Sequence, residues 1–312
     1  MRVWVIKVCI CYDACIIAES DVTVVVKLTL PNGEVFEIGR PPKYLKSIKE
    51  IKTGSESTAV CHYKGYTYVG QTSGAIDRID VRRNGHITQA NFKLPNMIMS
   101  FAIHNERVYV LLYADKNSSN IRVYELNDST ELTSWQHPHV PYFGQRMFVT
   151  DDTKLVVGDW PSKQIIIHSL TGDVIRMVPC PPSLTMNHAV CMSSCGDDSV
   201  VISDYKAGIE VRMSLRDGSL LWSSDRVTNP SGIVHHPAGY VLVVSTWTDQ
   251  TEISVLDETN GRSSFLIDVY QPWAKCGLFA AAALKPIVCS LLVAFCLKKF
   301  AISTVWNILA IC

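Results

Sequence analysis

The sequence predicts an all-β protein: a β-propeller of four-stranded antiparallel blades, with five complete blades and a partial sixth. Short runs rich in β-branched and aromatic residues predict strands, and the same strand order recurs along the chain. Polar turns separate these runs at intervals of 43, 44, 46 and 43 residues, centred on Gly85, Asp128, Gly172, Gly218 and Gly261. A period this steady is typical of stacked supersecondary units.

The chain begins with three parts that precede the complete blades. Residues 1–20 are an apolar N-terminal segment, and Asp13 interrupts it in a way that disfavours a signal peptide. Residues 21–38 alternate as a hairpin with a Pro-Asn-Gly turn and resemble the outer half of a blade. Residues 39–57 are a polar connector. Closure of a ring would require inner strands after Val269, where the sequence has no clear strand pair.

Residues 58–269 contain the five complete blades. Each unit has four short strands, and Gly, Asn or Asp occupies the turns that need a positive φ. The second strands, such as YTYVG and YVLVVST, are the most apolar and are expected in the blade interiors. A four-stranded sheet cannot bury both faces alone, whereas a ring of such sheets can. The alternative fold is an irregular β-sandwich whose turns happen to be evenly spaced.

Residues 270–312 form a hydrophobic C-terminal tail, which is expected to be helical. Its apolar run, residues 276–297, has the length that crosses a bilayer. Lys285 and Pro286 lie within this run and weaken both membrane insertion and a continuous helix. Three interpretations remain open: a membrane anchor, an apolar helix packed on the propeller, or a non-native ending that replaces the sixth blade.

The charge balance and cysteine content restrict the class of protein. The chain has 29 basic and 29 acidic side chains, and this net charge of zero argues against a nucleic-acid partner. Eleven cysteines, an odd number without regular spacing, do not resemble a secreted disulfide framework. We therefore expect a cytoplasmic protein, with a membrane-anchored protein as the alternative.

Several histidines and cysteines have side chains of the types that bind metals. His188, Cys191 and Cys195 lie close together in the sequence, but no second ligand pair follows them, so they are expected in the core. Four more histidines next to prolines are expected at solvated strand or loop ends: His137, His139, His235 and His236.

Aspartates and tryptophans recur at related positions of the blades. Asp159, Asp204 and Asp249 lie at or near the ends of second strands, where aspartate commonly accepts backbone N–H bonds from the following loop. The alternative is a ring of carboxylates around a central cation, as in propeller hydrolases. The tryptophans fall into two groups: Trp160 and Trp247 are expected to form aromatic contacts on one face, and Trp135 and Trp222 to pack within fourth strands.

Two stretches, GDWPSKQIIIHSLTGDVIRMV and ISDYKAGIEVRMSLRDGSLLW, resemble the NHL-repeat class of six-bladed β-propellers. The resemblance extends from Ser57 to Val269 and implies a module that recruits protein or RNA partners. NHL propellers often end tripartite-motif proteins, but this chain lacks the RING and B-box cysteine patterns, so ubiquitin-ligase activity is not implied.

The sequence contains no phosphate-binding loop, nucleophile elbow or HExxH motif. No residue is therefore assigned a catalytic, cofactor-binding or metal-binding role, and no cofactor is expected. The leading hypothesis is a non-catalytic protein-interaction module with an unidentified protein partner. The alternatives are a metal-dependent propeller hydrolase and a propeller tethered to a membrane through residues 276–297.

Overall fold

A computed structural model of the chain describes residues 5–11, 14–18, 24–29, 35–40, 47–52, 57–80, 86–90, 92–115, 118–137, 147–185, 190–196, 198–236, 239–246, 251–269, 276–282 and 290–297. The side chains that it describes lie between residues 58 and 263. Every secondary-structure element assigned within these ranges is a β-strand. The predicted all-β class is confirmed.

The strands follow one another along the chain. The N-terminal part contains β1 (Val5–Cys11), β2 (Ala14–Ala18), β3 (Val24–Thr29), β4 (Val35–Arg40) and β5 (Ser47–Lys52). The first blade contains β6 (Ser57–Tyr63), β7 (Tyr66–Gln71), β8 (Ala75–Asp80), β9 (His86–Ala90) and β10 (Phe92–Lys93). The second contains β11 (Ile98–His104), β12 (Arg107–Asp115), β13 (Ser118–Glu125) and β14 (Glu131–His137).

The remaining blades have the same plan. The third contains β15 (Met147–Val149), β16 (Lys154–Asp159), β17 (Gln164–Ser169) and β18 (Val174–Pro179). The fourth contains β19 (Val190–Ser194), β20 (Ser199–Asp204), β21 (Ile209–Ser214) and β22 (Leu220–Ser224). The fifth contains β23 (Pro230–His236), β24 (Tyr240–Thr246), β25 (Thr251–Asp257) and β26 (Ser263–Val269), and β27 (Cys276–Ala282) and β28 (Ser290–Leu297) follow it.

The five complete blades are antiparallel sheets whose strands pair in chain order. In the first blade, β9 and β10 both pair with β8, so two short strands share the place of a fourth strand. The second strands are the most buried: β20 is buried at all six positions, and β7 and β16 at five of six. The fourth strands β14 and β18 are mostly exposed. The expected burial of the second strands is confirmed.

Neighbouring blades pack face to face, because successive side chains of a strand point to opposite faces. Val200 and Ile202 of β20 pack in one cluster with Val156 of the third blade. Val201, between them in the sequence, packs in another cluster with Ile233 of the fifth blade. One strand therefore contributes to two interblade cores, as a propeller requires and two facing layers do not.

The turn glycines that define the sequence period are contact points between blades. A Cβ at Gly172 would lie 2.7 Å from Cδ2 of Trp135 in the preceding blade. A Cβ at Gly261 would lie 2.6 Å from Cε3 of Trp222, again in the preceding blade. Gly218 packs in the same way on the end of β18. Each of these turns is a surface on which the previous outer strand packs, and a side chain would not fit there.

Strands from both ends of the chain share one further sheet, in the order β27-β28-β1-β2-β5. β28 pairs parallel to β1 from Val5↔Ser290 to Cys11↔Cys296, whereas the other pairs of this sheet are antiparallel. β27 lies beside β23 of the fifth blade and beside β6 of the first. The strand pair that the sequence analysis did not find after Val269 is thus β27 and β28.

The chain ends differ from the sequence expectations in two further respects. The tail, expected to be helical, contains β27 and β28, and the sequence between them includes Pro286, which disfavours a continuous helix. The polar connector contains β5. The hairpin expected at 21–38 is confirmed as β3 and β4, but it forms a separate two-stranded sheet. Among the described residues, no helix is long and apolar enough to span a bilayer.

Candidate functional site

Asp204 has the structural role predicted for the aspartates that end second strands. Its Oδ1 accepts the backbone N–H groups of Lys206 and Ala207 at 3.1 and 3.0 Å. The Thr185 hydroxyl donates to both carboxylate oxygens, at 3.1 and 3.0 Å. Asp159 is also buried and accepts a bond from Gln164 Nε2 at 3.4 Å. The third aspartate of the set, at position 249, lies outside the described residues.

The tryptophans follow the prediction in part. Trp222 is buried and Trp135 is half-buried, and both pack in fourth strands as expected. Trp160 does not lie on an exposed face, where it was expected to form aromatic contacts, because its side chain is 1% exposed and belongs to the core between the third and fourth blades. A Cβ at Gly158 would lie 2.4 Å from the Trp160 ring, so the ring folds back over its own strand. Trp247 lies outside the described residues.

The histidines and cysteines separate into core residues and one convergent group. Cys191 is fully buried in the core between the fourth and fifth blades, as predicted, and His137 is buried rather than solvated. His188 and His139 lie outside the described residues, as does the side chain of His236. Cys195 is fully buried in the same core, as predicted. His235 was expected in solvent, but its side chain is only 13% exposed and lies close to Cys195.

Cys195, His235 and Glu258 come together between the fourth and fifth blades, and we call them the interblade cluster. Cys195 follows β19, His235 lies near the end of β23, and Glu258 follows β25. The Cys Sγ, one imidazole nitrogen and one carboxylate oxygen lie within 4.8 Å of one another. His235 Nε2 and Glu258 Oε2 are 2.5 Å apart. Cys195 is buried, and the side chains of His235 and Glu258 are 13% and 27% exposed.

Hydrogen bonds, three of them between the fourth and fifth blades and one within the fourth, hold the backbone of this cluster. Arg212 Nη1 donates to the carbonyl oxygen of Glu258 at 2.7 Å, and Nη2 donates to that of Cys195 at 3.5 Å. Trp222 Nε1 donates to the same Glu258 carbonyl at 2.7 Å. The backbone N–H of His235 donates to Ser193 Oγ at 3.2 Å. Each cluster residue is therefore fixed by a contact that does not use its own side chain.

The environment sets the protonation of the cluster. The hydrogen bond with His235 lowers the pKa of Glu258 below its ordinary value, so this carboxylate is ionised at neutral pH. Burial raises the pKa of the Cys195 thiol to about 12, and a protonated thiol is a poor nucleophile. The cluster is thus poorly suited to cysteine nucleophilic catalysis, whereas its sulfur, nitrogen and oxygen donors are the types that bind Zn²⁺.

Glu210 of β21 is a second unusual group in the fourth blade. Its side chain is fully buried on the face of β21 that also carries Arg212, which reaches the fifth blade. Among the described residues, neither carboxylate oxygen has a hydrogen-bond partner. Burial raises the pKa of Glu210 to about 8, so the carboxyl is mostly protonated at neutral pH.

The outer strands of the third and fourth blades, which follow one another in the chain, expose large apolar side chains. Val174, Ile175 and Met177 of β18 are 51%, 50% and 54% exposed, and Leu220 and Leu221 of β22 are 46% and 50% exposed. We call these five residues the outer apolar patch. Single exposed apolar residues are common, whereas five on the outer strands of two successive blades make this region a candidate interaction surface.

The two blades that carry the patch are joined at this edge. Arg176, in the middle of β18, donates from Nη1 to the carbonyl oxygens of Leu215 and Arg216 at 3.3 and 2.9 Å. Its charged group is therefore directed to the neighbouring blade, and the apolar side chains around it remain on the surface.

Sequence reasoning missed the interblade cluster because its members are 40 and 23 residues apart and form no local motif. Blade alignment offers a signal that could have found them. Cys195 and His235 lie at the turns between first and second strands, and Glu258 lies at a turn between third and fourth strands. These turns share one face of a propeller, so polar residues there in adjacent blades are candidates for contact.

Comparisons with known proteins identify the fold without a family. No family model matches the chain, and no curated protein matches its sequence. A chain in the crystal structure of the Nidogen/Laminin complex superimposes with a TM-score of 0.59 and 8% identity, over 90% of this chain and 97% of that chain. The WD40 β-propeller domain of Doa1 superimposes with a TM-score of 0.54 and 12% identity, over 91% of this chain and 86% of that one.

The structure also resembles that of an enzyme. A catalytically inactive variant of virginiamycin B lyase from Staphylococcus aureus, solved with Quinupristin, superimposes with a TM-score of 0.53 and 14% identity, over 83% of this chain and 78% of that chain. At these identities the likeness shows the fold alone. The chain is a β-propeller in which five complete blades are described.

Proposed function

We propose that this chain is a non-catalytic protein-interaction module, an NHL-like β-propeller that binds its partner through the outer apolar patch. The exposure of five large apolar side chains on the outer strands of two successive blades carries the proposal. An edge strand also has backbone N–H and C=O groups on its free side, which pair readily with an extended segment of another protein. The partner is a protein with an apolar segment, since the net charge of zero offers no general attraction for nucleic acid.

The proposed ring has six blades, and the sheet β27-β28-β1-β2-β5 is the sixth. The position of β27 beside both β23 and β6 supports this closure, because it puts the sheet between the fifth and first blades. In such a ring the outer apolar patch is on the circumference, away from the central channel. The propeller then presents the patch on a rigid frame.

The proposed compartment is the cytoplasm. The four cysteines with described side chains, Cys61, Cys180, Cys191 and Cys195, are all free thiols, which supports a reducing environment.

Charge substitution in the patch tests the proposal. The double variant Ile175→Glu/Met177→Glu and the control Thr133→Glu/Ser134→Glu add the same charge to exposed positions of two fourth strands. Each full chain is expressed at equal level, and the co-purifying proteins are quantified by mass spectrometry. We expect the patch variant to lose specific partners by about tenfold or more, because burying a charge in an apolar interface is costly. The control should retain them.

Two results would contradict the proposal. One is the same set of co-purifying proteins with the patch variant as with the control, when both variants have the thermal stability of the wild type. The other is turnover of lactones or phosphoesters by the purified full chain, which would identify an enzyme.

A further inference from the structure

We propose that Cys195, His235 and Glu258 form a zinc site that joins the fourth and fifth blades. The inference does not depend on the partner of the outer apolar patch, because the two sites lie at different places in the fold. One ligand comes from the fourth blade and two come from the fifth. A metal bound there would add a cross-link to an interface otherwise held by apolar packing and hydrogen bonds.

The donor atoms match the chemistry of zinc. Thiolate, imidazole and carboxylate are its three usual protein ligands, and the mixed set disfavours Mg²⁺ and Ca²⁺, which prefer oxygen alone. Tetrahedral bonds of 2.0 to 2.3 Å place such donors about 3.3 to 3.6 Å apart. The donors now lie within 4.8 Å of one another, and the His235–Glu258 pair is at 2.5 Å. Shifts of about 1 Å, within reach of side-chain rotation, convert one arrangement into the other.

The surroundings leave the ligands free to make those shifts. Glu258 is anchored through its backbone carbonyl, which Arg212 and Trp222 both bond, so its carboxylate can rotate without breaking the interface. The carboxylate is partly exposed, which gives the ion a route of entry and leaves space for water as a fourth ligand. Cys195 is buried on the opposite side, where the site is closed.

Binding of Zn²⁺ to these three residues is balanced in charge and in protons. The Cys195 thiol releases one proton to solvent, and its sulfur lone pair forms the bond to zinc. The His235 imidazole binds in the tautomer whose ligating nitrogen carries no proton, so that nitrogen contributes its lone pair while the other ring nitrogen keeps the ring proton, and the ionised Glu258 contributes an oxygen. Thiolate and carboxylate together cancel the two charges of the ion. The Arg212 guanidinium remains directed to carbonyl oxygens of Cys195 and Glu258.

Metal titration of the full chain tests this site. The protein is stripped with a chelator and titrated with Co²⁺, which reports thiolate ligation through a sulfur-to-cobalt charge-transfer band. We expect one equivalent of Co²⁺ to give this band in the wild type and in the control Cys61→Ser. Added Zn²⁺ should displace the Co²⁺ and remove the band. Cys195→Ser should lose the band. Glu258→Gln, which keeps the size and backbone bonds of the residue, should weaken Zn²⁺ binding at least about tenfold.

A stability measurement separates a site in the folded protein from metal bound by exposed thiols. A ligand that binds only the folded state raises the midpoint of urea unfolding. Zn²⁺ should raise this midpoint in the wild type and in Cys61→Ser, and should raise it by less in Glu258→Gln. The inference is overturned if Cys195→Ser keeps the cobalt band, if the wild type shows none, or if zinc stabilises Glu258→Gln as much as the wild type.

Discussion

A single buried carboxyl gives this fold a pH dependence. Glu210 is fully buried on the face of β21 that also carries Arg212, and its pKa is raised from 4.5 to about 8 because burial disfavours the charged form. The folded state therefore holds this proton more tightly than the unfolded chain. The resulting stabilisation is complete below about pH 4.5 and is lost as the pH rises through about 8.

Substitution of Glu210 by Gln removes this titration and keeps the shape of the side chain. Between about pH 5 and about pH 9, we expect the free energy of unfolding of the wild type to fall relative to Glu210→Gln by on the order of 4 kcal/mol. Urea unfolding across this pH range measures the difference. Glu131→Gln, at an exposed carboxylate, is the control. Parallel stability curves for the wild type and Glu210→Gln would refute this assignment.

At the scale of the element, the hairpin turn between third and fourth strands determines how the blades pack. In the fifth blade, Gly261 makes a turn bond from its N–H to the carbonyl of Asp257 at 2.9 Å, and Trp222 of the fourth blade covers it. Gly261 is thus required twice, once for its φ of 67° and once for lack of a side chain.

Two glycine substitutions separate these requirements. Gly208 has a φ of 65°, close to that of Gly261, but nothing lies within 4 Å of an added Cβ. Gly208→Ala should therefore cost only the left-handed conformation, about 1 to 2 kcal/mol. Gly261→Ala adds the clash with Trp222 and should cost about 2 to 4 kcal/mol in total. Chemical denaturation measures both values, and an equal cost would show that no aromatic ring covers Gly261.

At the scale of the whole molecule, local residue preferences predicted the strands and turns of the blades. Contacts between residues far apart in the chain could not be predicted from the sequence. The blade period is visible in the sequence at Gly172, Gly218 and Gly261. Each lies in a tight turn that is covered by the outer strand of the preceding blade, where a side chain would not fit. The sheet that includes β1 and β28 joins opposite ends of the chain, and no local pattern specifies that register. The interblade cluster depends in the same way on how two blades meet.

The blades follow one another radially, and the outer strands β14, β18 and β22 each pack on a turn of the next blade. Nuclear magnetic resonance of glycine-labelled protein measures this contact directly, since an aromatic ring shifts the resonances of protons over its face. We expect the α-protons of Gly172 and Gly261 to be shifted upfield. Trp135→Leu should abolish the shift at Gly172 alone, and Trp222→Leu the shift at Gly261 alone. Unshifted glycines, or shifts that survive both substitutions, would contradict the radial arrangement.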